Sequence, residues 1–213
     1  MASYSYVAFI FLSLYVTAGH GATLQTVNGR IHIMIGKTAG CRFAQMFMSQ
    51  VAETNRLYGR YVDIEFLPWG RTVRNPNGTL TCQFGEADCF ANRVQRCALN
   101  MMRGNQNAQV RYMQCEYSEP FPALRQRSLA CSSTANLNIV ALDYCVSTRY
   151  GDSLEGPIEA RGREGLRVIN SIPYVVFHNR PNVDLHNQVA WRGLTSVVCN
   201  ALLADRTTSV TRC

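Results

Sequence analysis

The period of the apolar positions changes several times along the chain, and each change marks an element. Arg30 to Ile35 alternates as a strand does. Arg42 to Tyr58 places Phe43, Phe47, Val51 and Leu57 near helical spacing, with Met46 and Met48 between them, so an amphipathic helix is expected. Tyr61-Val62-Asp63-Ile64-Glu65-Phe66-Leu67-Pro68 returns to alternation and predicts a second strand. Two strands joined by a helix of that length make a βαβ unit with parallel pairing. Trp69 to Thr81, rich in Gly, Asn and Pro, reads as a loop.

From Cys82 to about Asn170 the pattern turns helical. Val94, Ala98, Met101 and Met102 mark one helix and Leu137 to Cys145 another, with Tyr117-Ser118-Glu119-Pro120-Phe121-Pro122 breaking the chain between them. Six of the nine cysteines fall here, so the stretch reads as a small helical, disulfide-stapled insertion whose own core is thin. Each bridge that closes a loop of tens of residues contributes about 2–4 kcal/mol. Alternation resumes at Ile172-Pro173-Tyr174-Val175-Val176-Phe177, a strand opened by proline and closed by the turn from His178 to Asn182. His186 to Ala204 predicts one terminal helix that buries Val189, Leu194, Val197, Val198, Ala201 and Leu202. The expected organisation is an α/β domain in two parts, 22–81 and 171–213, interrupted by an insertion at 82–170.

The first 21 residues carry no Lys, Arg, Asp or Glu. Their apolar run, Val7 to Val16, is too short to span a bilayer, and small residues follow at Ala18, Gly19, Gly21 and Ala22. This is the pattern of a secretory signal peptide, residues 1–21. No second apolar stretch approaches ~20 residues, so no membrane insertion is expected. No KDEL-like tail ends the chain. The expected destination is outside the cell, with an endosomal or lysosomal compartment as the alternative.

Nine cysteines in an exported chain argue for disulfides rather than zinc. Cys82, Cys89, Cys97, Cys115, Cys131, Cys145, Cys199 and Cys213 form an even set, whose pairing sequence alone does not choose. That count leaves Cys41 unpaired. Another leaves Cys213 free to link two chains, so a monomer or a disulfide-linked dimer is expected. Neither Cys82-x6-Cys89-x7-Cys97 nor His32, His178 and His186 has metal-ligand spacing, and no metal or other cofactor is expected. Glu116, Glu119 and Asp143 form no paired-carboxylate arrangement that the sequence can place. Asn77-Gly78-Thr79 is the only N-glycosylation sequon.

The net charge is +7, and its make-up is uneven: Lys37 is the only lysine against twenty arginines. Arginine offers a planar fork suited to sulfate, phosphate and carboxylate. The small groups Arg71/Arg74, Arg93/Arg96, Arg125/Arg127 and Arg161/Arg163/Arg167 are scattered, which reads first as a solvated basic surface. No RNP-type motif or long basic run is present, so nucleic acid is not an expected partner.

Cys41 stands apart from the other cysteines, in Ile33-Met34-Ile35-Gly36-Lys37-Thr38-Ala39-Gly40-Cys41-Arg42-Phe43. A strand, a short turn and a helix that starts at sulfur is where thiol–disulfide enzymes keep a Cys-x-x-Cys pair. Here Thr38 takes the first position. Farther on, Cys82-Gln83-Phe84-Gly85-Glu86-Ala87-Asp88-Cys89, continuing to Cys97, resembles the Cys-Gln-His-Gly-x-x-x-Cys signature of the gamma-interferon-inducible lysosomal thiol reductase (GILT) family, with Phe84 in place of the usual His. The other cysteine spacings, through Cys199 and Cys213, fit the same family. The resemblance implies a thioredoxin-like fold interrupted by a helical, disulfide-rich insertion. It also implies that Pro173 is the cis-proline facing the active-site turn, although a proline there would be trans by default.

By the same resemblance the catalytic pair falls on Thr38-Ala39-Gly40-Cys41. Family enzymes attack a substrate disulfide with the first cysteine and resolve the mixed disulfide with the second. A threonine hydroxyl does neither, so Cys41 is left as a vestigial resolving cysteine and Thr38 is expected to cap the following helix. Two functions follow. One is a secreted pseudo-enzyme that binds an unknown protein or an anionic cell-surface ligand, through the groove between Thr38–Cys41 and Pro173 or through an arginine-rich face. The other is a monothiol oxidoreductase or isomerase that uses Cys41.

Overall fold

The computed structural model describes residues 22–213, so the expected signal peptide lies outside the described residues. The first strand, β1 (Ile31–Lys37), buries Ile31, Ile33 and Ile35 completely. The helix α1 (Arg42–Tyr58) follows with the expected bounds but a different buried face. Ala44, Phe47, Met48, Val51 and Thr54 point inward, whereas Phe43, Met46 and Leu57 are exposed. Ala44, Phe47, Met48 and Val51 are the i, i+3, i+4, i+7 set that makes a single stripe, and no single face also holds Phe43 and Met46. The buried Thr54 hydroxyl donates to the Gln50 carbonyl and meets the Thr195 hydroxyl at 2.9 Å.

The second strand, β2 (Val62–Pro68), pairs in parallel with β1, from Ile31 opposite Val62 to Lys37 opposite Pro68. The segment beyond it, expected to be a plain loop, contains a two-residue antiparallel hairpin, β3 (Val73–Arg74) with β4 (Leu80–Thr81). Asn77 sits on its exposed tip, where its side-chain oxygen accepts from the Thr79 N–H and hydroxyl.

Helices then follow in series: α2 (Glu86–Met101), α3 (Gln106–Glu116), α4 (Pro122–Gln126), a 3-10 turn at Ala130–Ala135, α5 (Ile139–Ser147), α6 (Arg149–Ser153) and α7 (Glu155–Ile169). They do not stand on a thin core of their own. Ala91, Val94 and Ala98 of α2 and Val110, Tyr112 and Met113 of α3 join the same apolar cluster as β1 and α1. Disulfides Cys82–Cys89, Cys97–Cys145 and Cys115–Cys131 crosslink this region.

The last strand, β5 (Tyr174–Phe177), lies antiparallel on the other side of β1, giving the order β2-β1-β5. Met34, Leu67, Tyr174 and Val176 make the opposite face of this sheet and pack on Ile169 of α7. The Tyr174 ring fits there because two neighbours lack side chains: a Cβ on Gly36 would lie 1.8 Å from it and one on Gly165 2.5 Å. The terminal helix expected as one piece is two, α8 (Val183–Arg192) and α9 (Leu194–Ala204). Gly193 breaks it with φ +82°, and the freed Leu194 N–H is met by the Gln50 side chain at 2.9 Å. Cys199–Cys213 pins the tail to α9, so Cys213 is not free to join a second chain. A βαβ unit extended by an antiparallel strand after a cis-proline, with helices on both faces, is a thioredoxin-like fold. Here a helical, disulfide-bonded region interrupts it.

Candidate functional site

The turn between β1 and α1 is held from outside itself. Thr38 is fully buried, and its Oγ1 lies 2.7 Å from each oxygen of Asp88, to which it donates. The same hydroxyl accepts from Asn92 Nδ2 at 2.7 Å. Asp88 Oδ1 also accepts the Gly40 N–H at 2.8 Å and Oδ2 the Phe84 N–H at 3.3 Å, while Asn92 Oδ1 accepts the Ala39 N–H at 3.0 Å. Two residues one helical turn apart on α2 thus grip the whole turn. Thr38 is therefore no helix cap. The capping position is Cys41, whose side chain makes no capping bond, and the carboxylate of Asp88 supplies the negative charge that a helix start favours.

Cys41 is 4% exposed, and its Sγ points to the Ile172 carbonyl at 3.5 Å. The Ile172–Pro173 bond is cis, so the structure brings Thr38, Cys41 and the cis-proline to one place. A Cβ on Gly70 would stand 2.6 Å from that of Thr38, which shows how tightly the chain closes behind it. Phe84 lies over Gly40, where an added Cβ would meet it at 2.7 Å. Its ring is half-exposed, as are the more open Phe43 and Met46 at the start of α1. The surface over the turn is therefore apolar, whereas the turn itself is polar and sealed.

Behind the turn lies a buried polar layer that the pattern of hydrophobicity did not reveal. Lys37 is fully buried and donates to Gln95 Oε1, with its ammonium 5.2 Å from the centre of the Tyr117 ring. Burial pushes its pKa well below the ordinary lysine range, against the pull of Glu116 and Asp88. Tyr117 in turn donates to the Thr38 carbonyl at 3.0 Å. Glu116 accepts from the Tyr112 hydroxyl at 2.9 Å and the Ala123 N–H at 3.3 Å, and burial raises its pKa. Asp88, Asn92, Gln95 and Arg96 are all buried and lie at i, i+4, i+7 and i+8 of α2. That spacing was the available signal.

The remaining sequence candidates are dispersed. Glu119 pairs with Arg125 on the surface and Asp143 accepts from Ser147. His32 lies 3.5 Å from Glu65, His178 bonds to the Gln25 carbonyl, and His186 accepts the Val175 N–H. Among the described residues no group of three His, Cys, Asp or Glu could hold a metal. In the four arginine groups, Arg74, Arg93, Arg96, Arg125, Arg127, Arg161 and Arg163 pair with acidic side chains, and Arg71 bonds to the Asn170 carbonyl. Eight of the nine forks are thus engaged within the protein, and Arg167, exposed on α7, forms no ion pair with a described residue. Cys41 is the only free cysteine among the described residues.

The family model for gamma interferon inducible lysosomal thiol reductase (GILT) matches residues 32–135. Over that span the chain is GILT-like. The matched span runs from β1 through the 3-10 turn, so it takes in the Thr38–Cys41 turn, both gripping residues of α2, the Cys82–Cys89 and Cys115–Cys131 bridges and Cys97. In this GILT-like chain the partner of Thr38 is thus supplied from within the matched segment. Among solved structures, a thioredoxin-like oxidoreductase from Silicibacter pomeroyi DSS-3 is similar with a TM-score of 0.49 and 11% identity, over 74% of this chain and 79% of that one. No curated protein matches the sequence.

Proposed function

We propose that this GILT-like protein is a secreted pseudo-enzyme, its thiol-reductase fold retained as an extracellular binding protein. The observation that carries this reading is the state of Thr38, fully buried with its hydroxyl committed to Asp88 and Asn92. A reductase needs an accessible thiolate at that position, and an oxygen there forms no reversible bond with sulfur. Four disulfides within the chain support an oxidising compartment, and no helix among the described residues is long and apolar enough to cross a membrane. Exposure of Asn77 at a hairpin tip supports its glycosylation. The partner class is a protein or an anionic cell-surface ligand. The monothiol alternative requires access to Cys41, and its burial against the Ile172 carbonyl counts against it.

The test is reduction of a denatured disulfide substrate at acidic and neutral pH by wild type, Thr38→Cys and Thr38→Cys/Asp88→Asn. Wild type should be inactive. The single variant should stay nearly silent, because its thiol would face the Asp88 carboxylate, which disfavours a thiolate. The double variant, with that charge removed, should recover more activity than the single one. Turnover by wild type, or rapid alkylation of Cys41 in the folded protein, would overturn the reading.

A further inference from the structure

The outer edge of β2 opens into a cleft of about 540 Å³ between α2 and α3 on one side and α6 and α7 on the other. Five consecutive strand residues, Asp63 to Leu67, line it. Odd-numbered positions here turn their backbone groups toward β1: Ile31 N–H bonds to the Tyr61 carbonyl, and Trp69 N–H to that of Lys37. Even-numbered positions therefore face outward. At each end the outward groups are taken, the Ile64 N–H by the Gln106 side chain at 2.7 Å and the Pro68 carbonyl by Arg96 at 3.3 Å. Between them the Ile64 carbonyl and both backbone groups of Phe66 make no hydrogen bond to any described residue.

Side chains around this edge are incomplete in the same way. Among the described residues three buried side-chain polar atoms lack a partner, and two of them, Nδ1 of His32 on β1 and Nε of Arg96 on α2, belong to residues lining this cleft. Arg96 is only 3% exposed, so solvent does not easily complete it. Arg103, exposed on the rim, forms no ion pair with any described residue. Donors and acceptors repeating along a strand fit a peptide main chain, and the guanidinium of Arg103 beside them fits a carboxylate.

We propose that this edge accepts a short extended peptide of a partner protein as an added strand, with its main chain on Ile64 and Phe66 and an acidic side chain at Arg103. The proposal rests on the binding-protein reading and gives it a surface and a partner class. It is tested first in the free protein, by amide exchange. Phe66 N–H should exchange at least tenfold faster than its β1-paired neighbours Glu65 and Leu67, and equal protection would overturn the open edge. A library of end-blocked hexapeptides is then passed over the immobilised protein. Acidic sequences should be retained, and saturation with the leading peptide should slow exchange at Phe66. N-methylation of its alternate, edge-facing amides should weaken binding at least tenfold, while methylation of the intervening amides should not. Arg103→Glu, a surface change that leaves the fold intact, should also cost about tenfold. No retained peptide, or retention indifferent to which amides are methylated, would overturn the proposal. A disulfide-reduction assay on the same preparation keeps the two failures distinct, since turnover would overturn the pseudo-enzyme reading and leave the exchange result to judge the edge.

Discussion

At the Thr38–Cys41 turn the polar side chains answer one another: the Thr38 hydroxyl donates to the Asp88 carboxylate, the Asn92 amide donates to the Thr38 hydroxyl, and Lys37 donates to Gln95. In the cleft beside β2, His32 Nδ1 on the central strand β1 and Arg96 Nε on α2 have no partner among the described residues. The first region has the place in the fold where thiol chemistry would be done but the bonding of a structural core. The second has an ordinary place in the fold and unfinished bonding. Buried polar groups are nearly always satisfied, so the unsatisfied ones point to what a fold leaves open for something else. Position within a family fold and availability for chemistry are therefore separate properties, and here they have come apart.

The strongest way to break this contrast is to remove the acceptor that seals the turn. Asp88→Ala takes the carboxylate from the Thr38 hydroxyl and from the Gly40 and Phe84 N–H groups at once. With about 1–3 kcal/mol for each donor stranded in the interior, and partial relaxation, we expect a loss of roughly 3–5 kcal/mol. Denaturant unfolding measures it. A loss below about 1 kcal/mol would mean that water replaces the carboxylate and that the turn is not sealed. Arg103→Ala, on the rim of the β2 cleft, should leave the midpoint unchanged.

A gentler change sharpens the same point. Thr38→Val keeps the shape of the side chain and removes only the hydroxyl, so Asp88 and Asn92 each lose one bond and keep others. The expected cost is about 1–3 kcal/mol. If Thr38 were instead a solvent-facing relic, the variant would be neutral, because a surface hydroxyl exchanges its bonds with water.

What was legible in the sequence follows from which interactions are local. Periodicity found β1, α1, β2 and β5, since each is an apolar stripe or an alternation a few residues long. It placed the odd cysteine correctly in the strand–turn–helix. It missed the phase of α1 because Phe43 and Met46 are as apolar as the residues that pack, and only the shape of the sheet chooses between them. The break at Gly193 was readable as a glycine in a helical pattern but not as a required left-handed residue. The grip on Thr38 comes from Asp88 and Asn92, fifty and more positions away in sequence. Its only local trace is the row of polar residues on the buried side of α2, which a search for apolar stripes passes over. The unpaired edge of β2 left no trace at all, because edges are decided by which strands pair.

The smallest expected effect concerns the acid response of that edge. Burial alone would raise the Glu65 carboxyl, but its bonds to His32 and Arg161 pull it down to about 2 from an ordinary 4.5. A carboxyl whose pKa is lower in the folded state stabilises the fold above its unfolded value and ceases to do so as pH falls through its folded value. The stabilisation from Glu65 is therefore complete above about pH 4.5 and lost between there and about pH 2. Because about a third of the side chain is exposed, solvent screens the pair and the contribution is modest. Glu65→Gln should have a flatter fall in melting temperature than wild type below pH 4.5, with no difference in slope between neutral pH and that point. Parallel curves across the acid range would show that Arg161 does not hold the carboxylate in solution.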